Sequence, residues 1–341
     1  MHKKIILTLL LIVSSQAYAY DMQLMLEKHL LPSYQELAEH TNELSIAANR
    51  YCSTEKGVDL EAMQRATKHA FLAWQAAQHI RFGPVLAFSR DRRFEFWPDK
   101  RGTVRKQLHD LINDPAIHAD DFDIAQKSVA VQGFSALEQL LFSDSVKDKS
   151  HCLVIIKITN NLQAMANGVL AEWQTSSTPF VNLFLNPGED NYIYRSESAL
   201  AGELINTLYT QLEVMVTRKL DRPLGSSIEK ARGKRAEGWR SQSALVAMSA
   251  NLKACHEFYR YSFAPQLEAN PLHEEIESAF MVSQATLEEI DMPLSQAVSN
   301  AEQRVLVERL KQELSQVKKL VASDLADTLG IALGFNSLDG D

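Results

Sequence analysis

Of the 341 residues of this chain, 45% are apolar and 23% are charged, which is the composition of an ordinary globular protein. The formal net charge of −8, with no basic stripe, argues against nucleic acid as a partner. Glycine and proline are scarce, and the chain is long enough for two hydrophobic cores, so we expect a helical protein with two lobes.

Residues 1–19 have the pattern of a secretory signal. Lys3 and Lys4 precede an apolar run at 5–13, and the triplet 17–19 is the small-x-small pattern that a signal peptidase needs. The apolar run is too short for a membrane anchor, and no later stretch is apolar enough to span a bilayer. We therefore predict cleavage after Ala19 and a soluble mature chain in the periplasm of a Gram-negative bacterium.

Apolar residues at three- and four-residue spacing predict helices through most of the first half. The Gly83-Pro84 pair ends the second of these helices. An irregular stretch follows, and its Arg-rich part at 90–101 alternates acids with bases, which predicts a solvated or self-paired loop. The predicted helices span residues 22–51, 59–82, 103–112, 121–142 and 148–174.

The second half has the same character. Residues 225–238, rich in glycine and charge, are interpreted as a mobile connection. The predicted helices span residues 197–220, 241–263, 272–290 and 300–329. The fold class predicted is all-α, with two antiparallel bundles of about four helices each packed together. The bundles cover 20–175 and 192–341, the segment 176–191 crosses between them, and the terminal tail folds into the groove.

Three cysteines in an oxidising compartment leave one thiol unpaired. Cys52 and Cys152 lie near predicted helix ends, where loops can approach each other. Cys255 lies in the middle of a helix and has the position of a small core residue. These positions favour a Cys52–Cys152 bridge.

One predicted helix differs from the others, because it is apolar on two faces and carries a single charge, Glu138, within 128–143. Ser135 lies on the same side as Glu138, and Gly133 allows another backbone to approach. A buried carboxylate needs a cation, a metal or several donors. Two hypotheses follow: a ligand or metal site between the bundles, or a buried ion pair with Arg81 or Arg240.

Five sequence blocks, in this order, resemble imelysin-like proteins, also called peptidase family M75. They are WQAAQHIRFGPV, FEFWPDKRG, QGFSALEQLLF, KRAEGWRSQSALVAMSANL and ALGFNSLDGD. The resemblance implies two helical bundles, export to the cell envelope and a frequent association with iron uptake. It also favours the Cys52–Cys152 bridge, since the branch that this chain resembles has two cysteines at helix ends.

The resemblance extends to the family's G-x-H-x-x-E motif, proposed as a metal or peptidase centre. In this chain the motif falls on Gly133, Ser135 and Glu138, so serine stands at the histidine position. A hydroxyl is a poor ligand for zinc or ferrous iron compared with imidazole, which weakens the peptidase interpretation.

Other candidate sites carry weaker signals. Trp239-Arg240-Ser241 lies at a predicted helix start, where free backbone N–H groups and an arginine would hold an anion. The alternative is a capped helix in which Arg240 faces solvent or pairs with Glu138. His273 and Glu277 stand four residues apart and would share a metal ion, although surface helices carry such pairs by chance.

The leading hypothesis is a periplasmic binding or accessory protein in metal acquisition, with iron as the expected metal. It would hold a small ligand or a divalent metal ion in the cleft between the bundles. The residues expected there are Gly133, Ser135, Glu138, Arg81, Arg240 and Ser241. The alternatives are a metal-dependent peptidase with Glu138 as metal ligand or base, and a structural partner of an envelope transport protein.

Overall fold

The computed structural model describes residues 20–53, 59–143, 151–174 and 179–331. Within these ranges the chain forms helices and turns without any β-strand, which confirms the all-α class. The predicted signal at 1–19 and the tail at 332–341 lie outside the described residues. In the described part, no helix combines the length and the apolar character that a bilayer crossing requires.

Eight α-helices cover the described residues of the first half. They are α1 (Met22–Met25), α2 (Leu31–Ser53), α3 (Leu60–Ala77), α4 (Arg90–Phe94), α5 (Thr103–Ile112), α6 (Phe134–Leu141), α7 (Cys152–Gln174) and α8 (Pro179–Leu185). A π-helical turn at Leu26–Leu30 joins α1 to α2, so that this region forms one long helix, as the sequence predicts.

Seven α-helices follow in the second half of the described chain. They are α9 (Glu197–Glu213), α10 (Asp221–Leu224), α11 (Ala244–Ser262), α12 (Pro271–Glu289), α13 (Leu294–Ala297), α14 (Ala301–Lys319) and α15 (Ala326–Leu329). Further π-helical turns at Val214–Leu220 and Leu320–Leu325 join α9 to α10 and α14 to α15.

The long helices pack in two groups that share one interface. In the first group α2 packs on α3 and α7, and the short α6 lies against α3 and α7. In the second group α11 packs on α9 and α12, and α14 packs on α9 and α12. Helix α3 lies along α11, so the two groups bury their apolar faces in one continuous core.

The segment 176–191 differs from its prediction, because it contains α8 rather than only irregular chain. Phe184 of α8 is fully buried and stacks on Phe82 with ring centroids 5.7 Å apart. Apolar side chains in this segment therefore join the core instead of only crossing between bundles. The boundaries at 175 and 192 remain a proposal.

The predicted helix at 121–142 is wrong over residues 121–133, which is more than three helical turns. Short 3₁₀ turns at Ile124–Gln126 and Val129–Val131 take its place, and α6 begins only at Phe134. The side-chain amide of Gln132 donates to the backbone carbonyls of Ala125 and Lys127. These carbonyls therefore accept side-chain hydrogen bonds that compete with the backbone hydrogen bonds of an α-helix.

The Arg-rich segment 90–101 is also not the solvated loop predicted from its charges. Arg90 on α4 forms a salt bridge with Glu172 on α7, with a shortest N···O distance of 2.7 Å. Arg93 donates to Gln132 at 2.6 Å and to Asn161 at 3.0 Å. The guanidinium groups therefore connect α4 to the first group of helices.

Residues 225–238, predicted as a mobile connection, pack closely against the second group of helices. A Cβ atom on Gly233 would lie 1.9 Å from the carbonyl oxygen of Ser295 on α13, so the two backbones are in direct contact. The segment ends in buried residues, including Glu237. Composition concealed this packing, because five of the six charged residues of this segment are exposed and only Glu237 is buried.

The Cys52–Cys152 disulfide is present and joins the end of α2 to the start of α7, with Cα atoms 5.5 Å apart. A disulfide typically stabilises a fold by about 2–4 kcal/mol. Cys255 is a fully buried free thiol in α11, as its mid-helix position predicts.

Candidate functional site

Helix α6 carries Glu138 and Ser135 on one side, three residues apart. Just before this helix, a Cβ atom on Gly133 would lie 2.1 Å from the carbonyl oxygen of Phe94 and 2.2 Å from that of Arg93. Only glycine permits this approach, so the end of α4 lies directly against the start of α6. The sequence predicts such a close approach at Gly133, and the structure contains it.

The Glu138 carboxylate is held through one of its oxygens. Oε1 accepts hydrogen bonds from the backbone N–H of Arg240 at 3.1 Å and of Ser241 at 3.2 Å, and from the Ser241 hydroxyl at 3.1 Å. Within the described part of the chain, no donor reaches Oε2 at hydrogen-bond distance. Burial raises the pKa of Glu138, while the bonds from Ser241 and the nearby Arg240 charge oppose this rise.

A tight turn before α11 supplies these donors. Gly238 has a φ of +59°, and the Ser243 N–H donates back to the Gly238 carbonyl at 3.0 Å. The free N–H groups at 240 and 241 are those for which the sequence predicts an anion. In the fold they bind the carboxylate of Glu138 itself.

Neither guanidinium expected beside Glu138 forms an ion pair with it in the described part of the chain. The Arg240 side chain instead stacks on the ring of Trp239, 4.3 Å from its centroid. Arg81 lies elsewhere: its Nη2 donates to Gln211 Oε1 at 3.4 Å, and it lines neither cavity at Glu138. The hypothesis that Glu138 forms a buried ion pair with Arg81 or Arg240 is therefore wrong.

Ser135 also has a defined position in the site. Its hydroxyl donates to the backbone carbonyl of Phe96 at 3.1 Å, and the residue lines the same cavities as Glu138. The serine at the motif's histidine position therefore fastens α6 to the segment that follows α4.

Sequence analysis missed a second carboxylate, Glu95, beside Glu138. Its Oε2 accepts from the Trp74 indole N–H at 3.1 Å and from the Gln75 amide at 3.0 Å. Burial, followed by the charge of Glu237, raises the pKa of Glu95 well above its ordinary value, and Lys219 opposes this shift. A signal was available, since Glu95 stands alone between Phe94 and Phe96 in a strongly aromatic stretch.

Lys219 is the centre of a buried polar cluster that sequence analysis also missed. Its ammonium donates to Glu237 at 2.7 Å, to Gln75 at 2.6 Å and to Asn251 at 2.5 Å. Lys219 and Glu237 are 2% and 4% exposed, so this ion pair is removed from water. We call Gln75, Glu95, Lys219, Glu237 and Asn251 the buried polar cluster.

Glu138 lines two cavities. A small cavity of about 30 Å³ also touches Glu95, Ser241 and several aromatic rings, and has room for one or two water-sized groups. A larger cavity of about 250 Å³ opens between Trp97 and Trp239. Ser135 and Glu138 belong to both, so these two side chains stand where the cavities meet.

The donor set at Glu138 does not fit a resident catalytic metal. Three hydrogen-bond donors already occupy Oε1, and the motif's histidine is replaced by a serine whose hydroxyl is committed to Phe96. Across residues 20–53, 59–143, 151–174 and 179–331, no group of three or more His, Cys, Asp or Glu side chains is arranged around a metal position. No peptidase step is assigned to this site.

The pair proposed at 273 and 277 is not assembled either. His273 Nδ1 lies 2.9 Å from the Tyr259 hydroxyl. Glu277 instead pairs with His256 at 3.0 Å and with Arg260. These contacts join α11 to α12, so they stabilise the second group of helices and do not form a metal site.

The fold and the site define an all-α protein with two packed helical groups and a carboxylate at the junction of segments from both. The Imelysin (Peptidase_M75) family model matches residues 30–321. The chain therefore belongs to the imelysin family, as its sequence blocks predict.

Individual relatives agree with this membership. "Iron-regulated protein A" of Synechococcus elongatus is 23% identical over 254 residues, which are 73% of this chain and 66% of that protein. This chain thus matches just under two thirds of the length of that relative.

Two solved structures share the fold. An imelysin-like protein from Psychrobacter arcticum superposes with a TM-score of 0.75 at 20% identity, covering 92% of this chain and 96% of that one. A putative iron-regulated protein A precursor from Parabacteroides distasonis gives 0.72 at 14% identity, covering 89% and 94%.

Proposed function

We propose that this chain is an exported binding protein that works in iron acquisition and holds a ligand at Glu138, in the cleft between its two helical groups. The observation that carries the proposal is the Glu138 carboxylate, which is half-buried, fixed through one oxygen and placed where two cavities meet. Such a desolvated carboxyl group in a cleft is typical of a functional site.

The position of the cleft supports ligand binding. Glu138 comes from α6 in the first half of the chain, while its donors come from the turn before α11 in the second half. Ligand pockets occur preferentially at such junctions, because side chains from both parts can converge on one molecule. A ligand held there contacts both halves of the protein.

The names of relatives support the iron role, and these names together with the sequence pattern at 1–19 support the location. Two relatives carry the name iron-regulated protein A, and one of them is described as a precursor. Together with the secretory pattern at 1–19, these names support export to the periplasm, where the protein would pass its ligand to an envelope transport protein.

A metal-dependent peptidase at Glu138 has less support, because the ligand set lacks the imidazole and the further acidic or histidine groups that a catalytic metal needs. A purely structural partner of an uptake system would leave the cavities at Glu138 without a use. We therefore favour a ligand-binding protein over both of these alternatives.

Uptake of radioactive iron by the parent bacterium tests the proposal. A deletion strain grown under iron limitation would be complemented with wild type, with Glu138→Gln or with Glu39→Gln, an exposed carboxylate on α2 that serves as control. Glutamine retains an oxygen for the Arg240 and Ser241 donors but removes the charge. We expect wild type and Glu39→Gln to restore uptake, and Glu138→Gln to restore much less.

Cell fractionation of the same strains checks that each variant is exported in equal amount. Equal uptake by the deletion strain and the complemented strains would refute the iron role. Full restoration by Glu138→Gln at wild-type abundance would instead favour the structural partner over a ligand site at Glu138.

A further inference from the structure

The larger cavity at Glu138 is lined by five cationic side chains and two carboxylates. We call it the cation-lined cavity, and its cations are Arg105, Arg222, Lys234, Arg235 and Arg240. This excess of positive charge contrasts with the net charge of −8 of the whole chain. A local excess of positive charge on a chain whose net charge is negative indicates that the cavity requires this charge.

The two carboxylates of the cavity are already used by the backbone. Asp99 accepts from the N–H of Thr103 at 2.8 Å and from that of Val104 at 3.0 Å, which caps the start of α5. Glu138 Oε1 is taken by the N–H groups and the hydroxyl at 240 and 241. Neither acid therefore neutralises a particular cation of the cavity by direct contact.

The five cations lack direct acidic partners. In the described ranges, no carboxylate oxygen lies within 4.0 Å of a side-chain nitrogen of any of them. Nη1 of Arg222 is buried and has no hydrogen-bond partner among the described residues. Burial, followed by the charges of Arg235 and Arg218, lowers the pKa of Arg222.

Aromatic rings hold part of this charge in place. Trp239 contacts two cations of the cavity: Arg240 lies 4.3 Å and Lys234 lies 5.3 Å from its ring centroid. Such contacts fix cationic groups without neutralising them, unlike a carboxylate partner. The positive charge therefore remains available to a molecule in the cavity.

We infer that the cation-lined cavity binds a small oxygen-rich polyanion, namely a polycarboxylate that is either free or carries ferric iron as an anionic chelate. The inference rests on the proposed function and specifies the form in which iron would be held. Arginine and lysine side chains without direct acidic partners match carboxylate oxygens, whereas a bare metal cation would be repelled. The volume of about 250 Å³ suits a small molecule rather than a peptide.

Isothermal titration calorimetry of the mature protein tests the inference with three probes: citrate, ferric citrate and ferrous ion alone. The variant Arg222→Gln/Arg235→Gln removes two cavity cations, and Lys28→Gln/Arg195→Gln removes two exposed cations elsewhere. We expect wild type and the control to bind citrate, ferric citrate or both, with affinity that falls as salt is added. The cavity variant should bind about tenfold or more weakly.

The probes separate the two sources of the anion: tighter binding of ferric citrate indicates a chelate, and equal binding indicates the free polycarboxylate. Equal weakening by the control variant would overturn the inference. So would binding of ferrous ion without either anion, although the iron role would then stand. Anion binding in a protein whose deletion leaves iron uptake unchanged would refute the iron role and retain the anion site.

Discussion

Lys219 and Arg222 are three residues apart in the chain, yet their charges have opposite surroundings. Lys219 is buried and donates to Gln75, Glu237 and Asn251. Arg222 lines the cation-lined cavity, and its buried Nη1 has no partner among the described residues. The buried polar cluster and the cation-lined cavity thus lie side by side. The cation of the cluster has hydrogen-bond acceptors, whereas the cations of the cavity lack direct acidic partners.

The comparison shows how structural and functional charge can be separated. A cation whose donors are all satisfied inside the protein contributes to a defined packing, and removing it leaves the acceptors unpaired. A set of cations left without direct acidic partners lowers stability through mutual repulsion, unless an anion binds. The first group should therefore respond to mutation through stability, and the second through binding.

Replacing Lys219 should have the largest effect. Lys219→Met leaves the Glu237 carboxylate buried without its cation, and we expect a loss of about 3–5 kcal/mol in the free energy of unfolding. Urea denaturation measures it. Lys234→Met, an exposed cation of the cavity, is the control and should change stability by less than about 0.5 kcal/mol. Similar losses in both variants would remove the distinction between the two regions.

At Gly133 the start of α6, the helix that carries Glu138, meets the end of α4, next to Glu95 of the buried polar cluster. Gly133→Ala places a Cβ against the carbonyl oxygens of Phe94 and Arg93, and we expect a loss of about 1–3 kcal/mol. Gly188→Ala is the matched control, because its Cβ meets no atom within 4 Å. Denaturation of both variants checks this, and a neutral Gly133→Ala would show that the end of α4 can move away.

The pH dependence of stability tests the charge of the buried polar cluster. Because burial raises the pKa of Glu95 above its ordinary 4.5, the folded protein retains a proton that the unfolded chain has lost. This group therefore lowers stability as the pH rises from 4.5 to the folded pKa, by at most about 1.4 kcal/mol per pH unit. Denaturation between about pH 5 and pH 8 should show a weaker fall with pH in Glu95→Gln than in wild type.

The buried pair His29 and His79 changes the stability of the protein with pH in the opposite direction to Glu95. Burial lowers the pKa of His29 to about 4, and that of His79 also falls well below its ordinary value. Their contribution to the free energy of unfolding is lost as the pH falls from 6.5 towards the folded pKa, whereas that of Glu95 is lost as the pH rises. Since both proteins retain the histidines, the difference between wild type and Glu95→Gln isolates the carboxyl group.

Mutation of the cavity should have the smallest effect on stability. We expect Arg222→Gln to leave the free energy of unfolding unchanged or to raise it, within about 0.5 kcal/mol, because it relieves repulsion from Arg235 and Arg218. Added salt should stabilise wild type slightly more than the variant, since it screens that repulsion. A large loss of stability would show that Arg222 has a structural role.

Much of the fold follows from local pattern. The apolar periodicity gave the long helices near their observed ends, and the helix-end positions of Cys52 and Cys152 agreed with the disulfide that forms. The errors lie where tertiary contact overrides local preference. The helix predicted from 121 begins only after Gly133, and the Arg-rich segment joins the first group of helices through Arg90 and Arg93.

The candidate site was only partly visible for the same reason. Glu138 stands out in the sequence as the single charge in an apolar helix, and spacing alone places Ser135 beside it. Glu95 is far in the chain from Lys219 and Glu237, which are themselves 18 residues apart, so no helical spacing rule connects the three.

The sequence by itself determined the helical class, the family and the isolated carboxylate, because each is encoded within one helix or one short block. Only the tertiary structure decided which charges are satisfied and which face a cavity. Local pattern predicts that Glu138 must find donors, but the donors are two backbone N–H groups and a hydroxyl 102 and 103 residues away. Burial and hydrogen bonding depend on what the chain packs against, and that is fixed only when α3 and α11 meet.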